Sequence, residues 1–168
     1  MSTWAPEKND TVRALATEIL HNYSRGRAFV AVDGRDAAAA ARFADDLAES
    51  LRQEGHAAFR ASLGGFDESA FRRELVEPFR GGGDATWLPA APREHGDETA
   101  RVAGPADAIL LVDRSLVGRR GLAGLWNYAV WVESGDAADR SPEERGRSTA
   151  VIDNSDPEHP RRLFDDAC

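Results

Sequence analysis

The fold class this sequence predicts is α/β: a three-layer sandwich in which helices cover both faces of a parallel sheet of about five strands. Three observations predict it. Apolar runs bounded by turn residues stand at 28–32 (AFVAV), 108–112 (AILLV) and 128–132 (YAVWV), the pattern of strands covered on both faces. Segments of helical periodicity lie between such runs, and strands alternating with helices build parallel sheets. The 168 residues are enough for one domain with a sizeable core and too few for two comfortable ones.

Taken in order, residues 1–27 form a helical lead-in. Val12, Leu15, Ile19 and Leu20 fall on one side of a helix over 11–22, which Ser24-Arg25-Gly26-Arg27 ends. The first strand, 28–32, follows. Over 37–53 an apolar stripe of Ala40, Phe43, Ala44, Leu47, Ala48 and Leu51 opposes Asp45, Asp46, Glu49, Arg52 and Gln53, which predicts a crossover helix stopped at Gly55. Residues 57–63 (AAFRASL) read as a second strand. Residues 67–79 read as a helix, with Phe71, Leu75 and Phe79 four apart and Pro78 at its frayed end. The glycines and prolines of 81–105, without periodicity, predict a long loop. The central strand 108–112 then delivers Asp113 to its carboxyl end. A helical piece over 116–125, a strand at 128–132, a polar stretch, and a short strand at 149–152 complete the domain. Asp153-Asn154-Ser155-Asp156-Pro157 is a dense turn signal, because Asp and Asn side chains bond their own backbone.

Composition excludes several classes of function. With 29 acidic against 21 basic residues the net charge is -8, which disfavours nucleic-acid polymers and anionic membranes as partners. No run approaches the roughly 18 apolar residues of a membrane span, and the opening MSTWAPEKND has no signal-peptide pattern, so a cytoplasmic location is expected. Cys168 is the only cysteine, and His21, His56, His95 and His159 are scattered without ligand spacing; no metal site is expected.

The informative stretch is VAVDGRDAAAAAR, residues 30–42. A strand, a Gly-bearing turn and a helix form the setting of a phosphate-binding loop, whose pattern is Gly, four residues, Gly, Lys, and Ser or Thr. Counted from Gly34, the second Gly falls on Ala39, the Lys on Ala40 and the hydroxyl on Ala41. Alanine is the best helix former and resists the left-handed backbone that glycine adopts at little cost. The run 37–41 therefore propagates helix instead of wrapping a phosphate. Asp36 stands where its carboxylate caps that helix, filling the anion position with its own charge. The loop candidates are thus Gly34, Arg35, Asp36, Ala39, Ala40 and Ala41.

From about Ala28 to Phe164 the chain resembles the uridine kinase family of P-loop nucleoside kinases, especially short actinobacterial uridine kinase-like proteins. The pieces that carry the resemblance are VAVDGR leading into FADDLAESLR, then FRASLGGF, FRRELVEPFRGGG, ADAILLVDRSLVGRRGLAGLWNYAVWVE and VIDNSDPEHPRRL. It implies a P-loop NTPase fold of nucleoside kinase type with a Walker A loop that has lost its functional groups. It also implies a shortened lid at 136–148 carrying Arg140, Arg145 and Arg147, and Asp113 as a residual Walker-B-like carboxylate. Family members have acidic residues where this chain has Ser62-Leu63-Gly64-Gly65-Phe66, and their substrate loop corresponds loosely to 87–98.

Two function classes follow. In the first, the protein keeps the fold without phosphoryl transfer and acts by binding a protein partner or a small ligand, with no cofactor and no catalytic residue expected. In the second it is an ATP- and Mg²⁺-dependent uridine, nucleoside or other small-molecule kinase with non-standard phosphate binding through Asp113, backbone amides after Gly34 and the lid arginines. Self-association as a homo-oligomer through the region from Trp126 to Trp131 is a third reading.

Overall fold

The computed structural model describes residues 7–63, 67–81, 106–114, 120–122, 124–135 and 142–164. Helix α1 (Lys8–Asn22) precedes strand β1 (Ala28–Asp33), and helix α2 (Ala37–Gln53) leads to β2 (Ala58–Ser62). Helix α3 (Glu68–Phe71) passes through a π-helical segment, Arg72–Val76, into α4 (Glu77–Gly81). There follow β3 (Ile109–Asp113), a 3₁₀ turn at Arg120–Leu122, β4 (Tyr128–Glu133), α5 (Pro142–Arg147), β5 (Ala150–Asp153) and β6 (Arg161–Leu163). No helix among the described residues is long and apolar enough to cross a membrane.

The sheet has six strands in the order β2-β3-β1-β4-β5-β6. All neighbours are parallel except β6, which runs antiparallel to β5 with Ile152 opposite Arg162. This corrects the expectation of about five parallel strands. The sixth is three residues of RRL, which carries none of the apolar alternation that marks a strand in sequence. The helix after β2 also differs from expectation. Pro78, placed by the sequence at a frayed end, lies inside the helix, which continues to Gly81. The preceding π-helical segment, in which the Glu77 amide donates back to the Arg72 carbonyl, shifts the hydrogen-bond register just before the proline, which has no N–H to give. Of the long loop at 81–105 only Gly81 is described, and it is helical; residues 82–105 lie outside the described residues. Of the helical piece expected over 116–125, Arg120–Leu122 is a 3₁₀ turn, and 116–119 and 123 lie outside the described residues.

Two cores flank the sheet, as strands covered on both faces require. On one face α1 and α2 pack Leu15, Ile19, Phe43, Leu47 and Leu51 against Val30, Leu111, Tyr128, Val130 and Ile152. On the other, Phe71, Leu75, Phe79, Leu122 and Leu125 cover Phe29, Leu110 and Val112. Helix α1 is thus a structural layer and more than a lead-in. The Tyr128 hydroxyl donates to Glu18 Oε1 at 2.9 Å, and the Arg162 guanidinium grips both oxygens of the same carboxylate. Arg162, which as a bare sequence reads as a solvated charge, is therefore tied into the fold.

The Arg162 hydrogen bonds, with help from Tyr128, hold the Glu18 carboxyl below its ordinary value of 4.5, while burial pushes the Tyr128 phenol up. A carboxylate whose folded value is lowered adds stability above its unfolded value, and that stability is lost as pH falls through the folded value. Glu18→Gln is accordingly expected to lower the urea midpoint at neutral pH, with the gap from wild type closing as pH drops below 4.5. A gap that stays constant from neutral to acid pH would refute the linkage.

Candidate functional site

Strand β1 connects through α2 toward the β2 edge, whereas β4 connects through α5 toward the opposite edge. β1 and β4 are neighbours, paired from Val30↔Tyr128 to Asp33↔Trp131. Open α/β sheets bind ligands where adjacent strands diverge in this way, outside their carboxyl ends. The turn Gly34-Arg35-Asp36 sits at that point.

Gly34 is required there by contact and not by a left-handed backbone. A Cβ at Gly34 would lie 2.4 Å from the Val132 carbonyl oxygen, so the turn hugs β4 too closely for any side chain. Asp36 has extended backbone (φ -82, ψ 96) and is the N-cap of α2, its Oδ1 accepting from the Ala39 amide at 3.0 Å. The Ala40 amide donates to the Asp36 carbonyl at 3.0 Å, an ordinary helical bond. Helix begins at Ala37, so Ala39, Ala40 and Ala41 all lie within it. Ala39 and Ala40 are buried, with Ala40 at 1% exposure. The Ala39 amide, one of those that would face an anion, is taken by the protein's own carboxylate.

Asp113, at the end of β3, is 4% exposed and both of its carboxylate oxygens are engaged. Arg60 Nη2 donates to Oδ1 at 3.1 Å and Ser62 Oγ to Oδ2 at 3.3 Å. The same guanidinium donates to Asp45 Oδ1 from Nε at 2.8 Å and reaches the carbonyls of Ala41, Ala61 and Leu111. Arg60 thus ties β2, β3 and the second turn of α2 together. It was not singled out in the sequence, although the signal was present: one guanidinium inside the otherwise apolar AAFRASL must find a buried partner.

The lid candidates fall differently. Arg145, on α5, forms a two-pronged pair with the buried Glu133 at the end of β4, Nε to Oε1 at 2.5 Å and Nη2 to Oε2 at 2.6 Å. Arg147 pairs with Glu143 one turn back at 2.9 Å. Arg140, the other lid residues before 142, Gly64 to Phe66 and the substrate-loop stretch 87–98 lie outside the described residues. Trp131 is 6% exposed, and the partly buried Trp126 packs against the second core.

A cleft of 340 Å³ opens beside the turn. Its floor is the stripe Asp36, Ala39, Arg42, Phe43 and Asp46 of α2, and its far wall is Ser134 with Asn154, Ser155, Pro157 and Glu158. Lys8 bridges to Asp46 at 2.7 Å on its rim. The wall residues are set by the turn that the sequence predicts after β5: Asp153 Oδ1 accepts from the Ser155 amide at 3.0 Å and Asp156 Oδ1 from the Glu158 amide at 3.1 Å. Arg42, exposed on α2, lines this cleft.

The molecule is therefore a mostly parallel α/β domain with a crevice at the β1–β4 divergence, the architecture of a P-loop kinase-like fold. A solved structure of a possible uridine kinase from Bacillus stearothermophilus shares it, with a TM-score of 0.60 over 86% of this chain and 98% of that chain. Sequence identity is 14%, so the likeness establishes the fold. No family model and no curated protein sequence matches the chain.

Proposed function

We propose that this protein is a catalytically silent relative of the uridine kinases, which keeps their fold and acts by binding a partner or a small phosphate-free ligand at the cleft beside α2. The observation that carries the reading is the Asp36 carboxylate on the Ala39 amide, at the helix end where a phosphate loop would open. A nucleotide phosphate approaching that end meets a negative charge already in place and an Ala39 amide already satisfied. The chemistry around it points the same way. The position of the metal-binding hydroxyl is Ala41, and the Asp113 oxygens are held by Arg60 and Ser62, so the donor set does not suit a magnesium ion of the phosphate-loop kind. Arg145 is committed to Glu133, and a lid arginine so paired has no charge to spare for a transferring phosphoryl group.

Thermal unfolding of the full chain with Mg·ATP, and separately with uridine, tests this. A ligand at 100 times its dissociation constant adds about 2.7 kcal/mol, roughly 5–11 °C for a domain of this size. No rise with Mg·ATP is expected. A rise of that order would overturn the silent reading and favour an ATP-dependent kinase with unconventional phosphate binding, whereas a rise with uridine alone would identify the cleft ligand as a nucleoside.

A further inference from the structure

Helix α1 and β6 leave a hollow of 450 Å³ between them, lined by Ala14, Leu15 and Phe164 together with Asp10, Glu18 and Arg161. Phe164, at 72%, is the most exposed large apolar side chain among the described residues. An apolar hollow beside an uncovered aromatic ring is a seat for a further apolar group. The chain itself supplies one. The Glu7 amide, whose nitrogen joins the chain to Pro6, donates to Asp10 Oδ2 at 3.2 Å, so the segment ahead of α1 leaves beside the hollow. Trp4 stands three residues before that point. Three residues span at most about 10 Å, and along the helix Thr11 lies about 6 Å and Ala14 about 10 Å from Glu7. An indole on residue 4 therefore reaches the hollow. Pro6 narrows the paths open to it, because its ring fixes its own φ and favours an extended Ala5. The other stretch of chain that adjoins the hollow, 165–168, is Asp-Asp-Ala-Cys and has no aromatic to offer.

We propose that the segment ahead of α1 folds back along the helix and seats the Trp4 indole in this hollow, against the Phe164 ring and the Arg161 guanidinium. Arg161 has no ion-pair partner among the described residues, and tryptophan offers a cation the best of the aromatic faces. The next residue already shows such a contact: the Arg162 guanidinium lies 5.1 Å from the centre of the Phe164 ring. Glu18 in the same wall is held by Arg162 and Tyr128, so its carboxylate does not stand free against the indole. The cleft beside α2 makes a poorer seat, because a charged pair, Lys8 with Asp46, lines it. The seated indole ties the start of the chain to its last strand and covers the ring beside the open edge of the sheet. This proposal is independent of the silent-kinase reading.

Fluorine NMR of the full chain labelled with fluorotryptophan tests it. Trp4→Phe removes one of the four tryptophan resonances and so assigns Trp4. The expected result is a Trp4 resonance displaced from its position in the urea-unfolded chain. Ala14→Glu, at an exposed position of α1, puts a carboxylate in the seat and should return that resonance to the unfolded position while the other three stay in place. A Trp4 resonance at the unfolded position in the wild type, or one displaced but indifferent to Ala14→Glu, would overturn the proposal. Stability supplies a second measure. Trp4→Ala should lower the unfolding temperature by about 2–4 °C, and by much less in a Phe164→Ala background, where the ring it rests on is gone. Additive losses would count against the contact. A Trp4 resonance that moves on dilution, from a species of twice 18.2 kDa, would put the indole in the hollow of a second copy and overturn seating within one chain.

Discussion

Replacing Arg60 by alanine is expected to remove about 3–5 kcal/mol of folding stability, the cost of stranding a buried charge, and to lower the unfolding temperature by roughly 6–20 °C. The side chain of Arg60 is 9% exposed and that of Asp113 6%, so water cannot replace the lost guanidinium. Loss falls on several groups together, because the one cation serves Asp113, Asp45 and the carbonyls of Ala41, Ala61 and Leu111. Arg60→Lys should recover little of it, since a point charge with three donors cannot span a strand end and a helix turn as the planar fork does. Combining Arg60→Met with Asp113→Asn should recover part of the loss, since no uncompensated charge is left at Asp113. Urea denaturation of the set decides the matter. A loss under about 1 kcal/mol for the alanine variant, the range of a surface pair, would show that the network does not hold β2 and β3 to α2.

The second large effect is expected at Ala40, the position of the phosphate-loop lysine. Ala40 is 1% exposed inside the first turns of α2. Lysine there adds a four-carbon stem to a packed site and takes an ammonium out of water, for a combined loss of about 3 kcal/mol at neutral pH. Burial lowers the lysine's folded pKa below its unfolded value of about 10.4, so the loss should shrink as pH rises toward that value and the unfolded chain also sheds its proton. Adding Asp36→Ser, Ala39→Gly and Ala41→Ser should further weaken the helix start, through gain of a glycine in its first turn and loss of the cap's negative charge at the helix N-terminus. Mg·ATP should return none of that stability, because Asp113 and Arg145 stay committed to Arg60 and Glu133. A rise in unfolding temperature with Mg·ATP in the four-residue variant would mean instead that the loop alone separates this fold from nucleotide binding.

The parts of the fold that were legible in sequence share a physical reason. Residues 28–32 and 108–112 are apolar without interruption because both faces of those strands are covered, and continuous burial leaves no other reading. The stripe from Ala40 to Leu51 and the alanines before it likewise announce α2 and its early start. The turn from Asp153 to Pro157 is written in its side chains. What was not legible depends on pairing across the chain. The third residue of β2 was visible as an arginine, but its five partners come from α2, β2 and β3, which only the folded sheet brings together. β6 hid because two of its three residues are arginines, one of them matched to Glu18 144 positions away. The π-helical segment hid because a shifted hydrogen-bond register leaves no trace in residue spacing. In the candidate site, the Asp36 cap lies local to its sequence and was readable; the commitment of Arg145 to Glu133 was not.

The attachment of α1 to the last strands has a consequence for how the molecule is made. Thr11 Oγ1 donates to the Pro160 carbonyl at 2.7 Å, across 149 positions of chain, and the Lys8 amide donates to the Glu158 carbonyl at 3.0 Å. Nothing nearer in sequence offers those acceptors. On the ribosome, the first helix to emerge can lay Leu15 and Ile19 on α2 early, but its N-terminal anchors, Lys8 and Thr11, must wait until synthesis passes residue 160. The start of α1 stays unanchored for almost the whole of translation, the interval in which chaperones engage a chain. A circular permutant that sets α1 directly after β6 would make those partners neighbours in sequence, and should fold faster than the natural order while reaching the same structure.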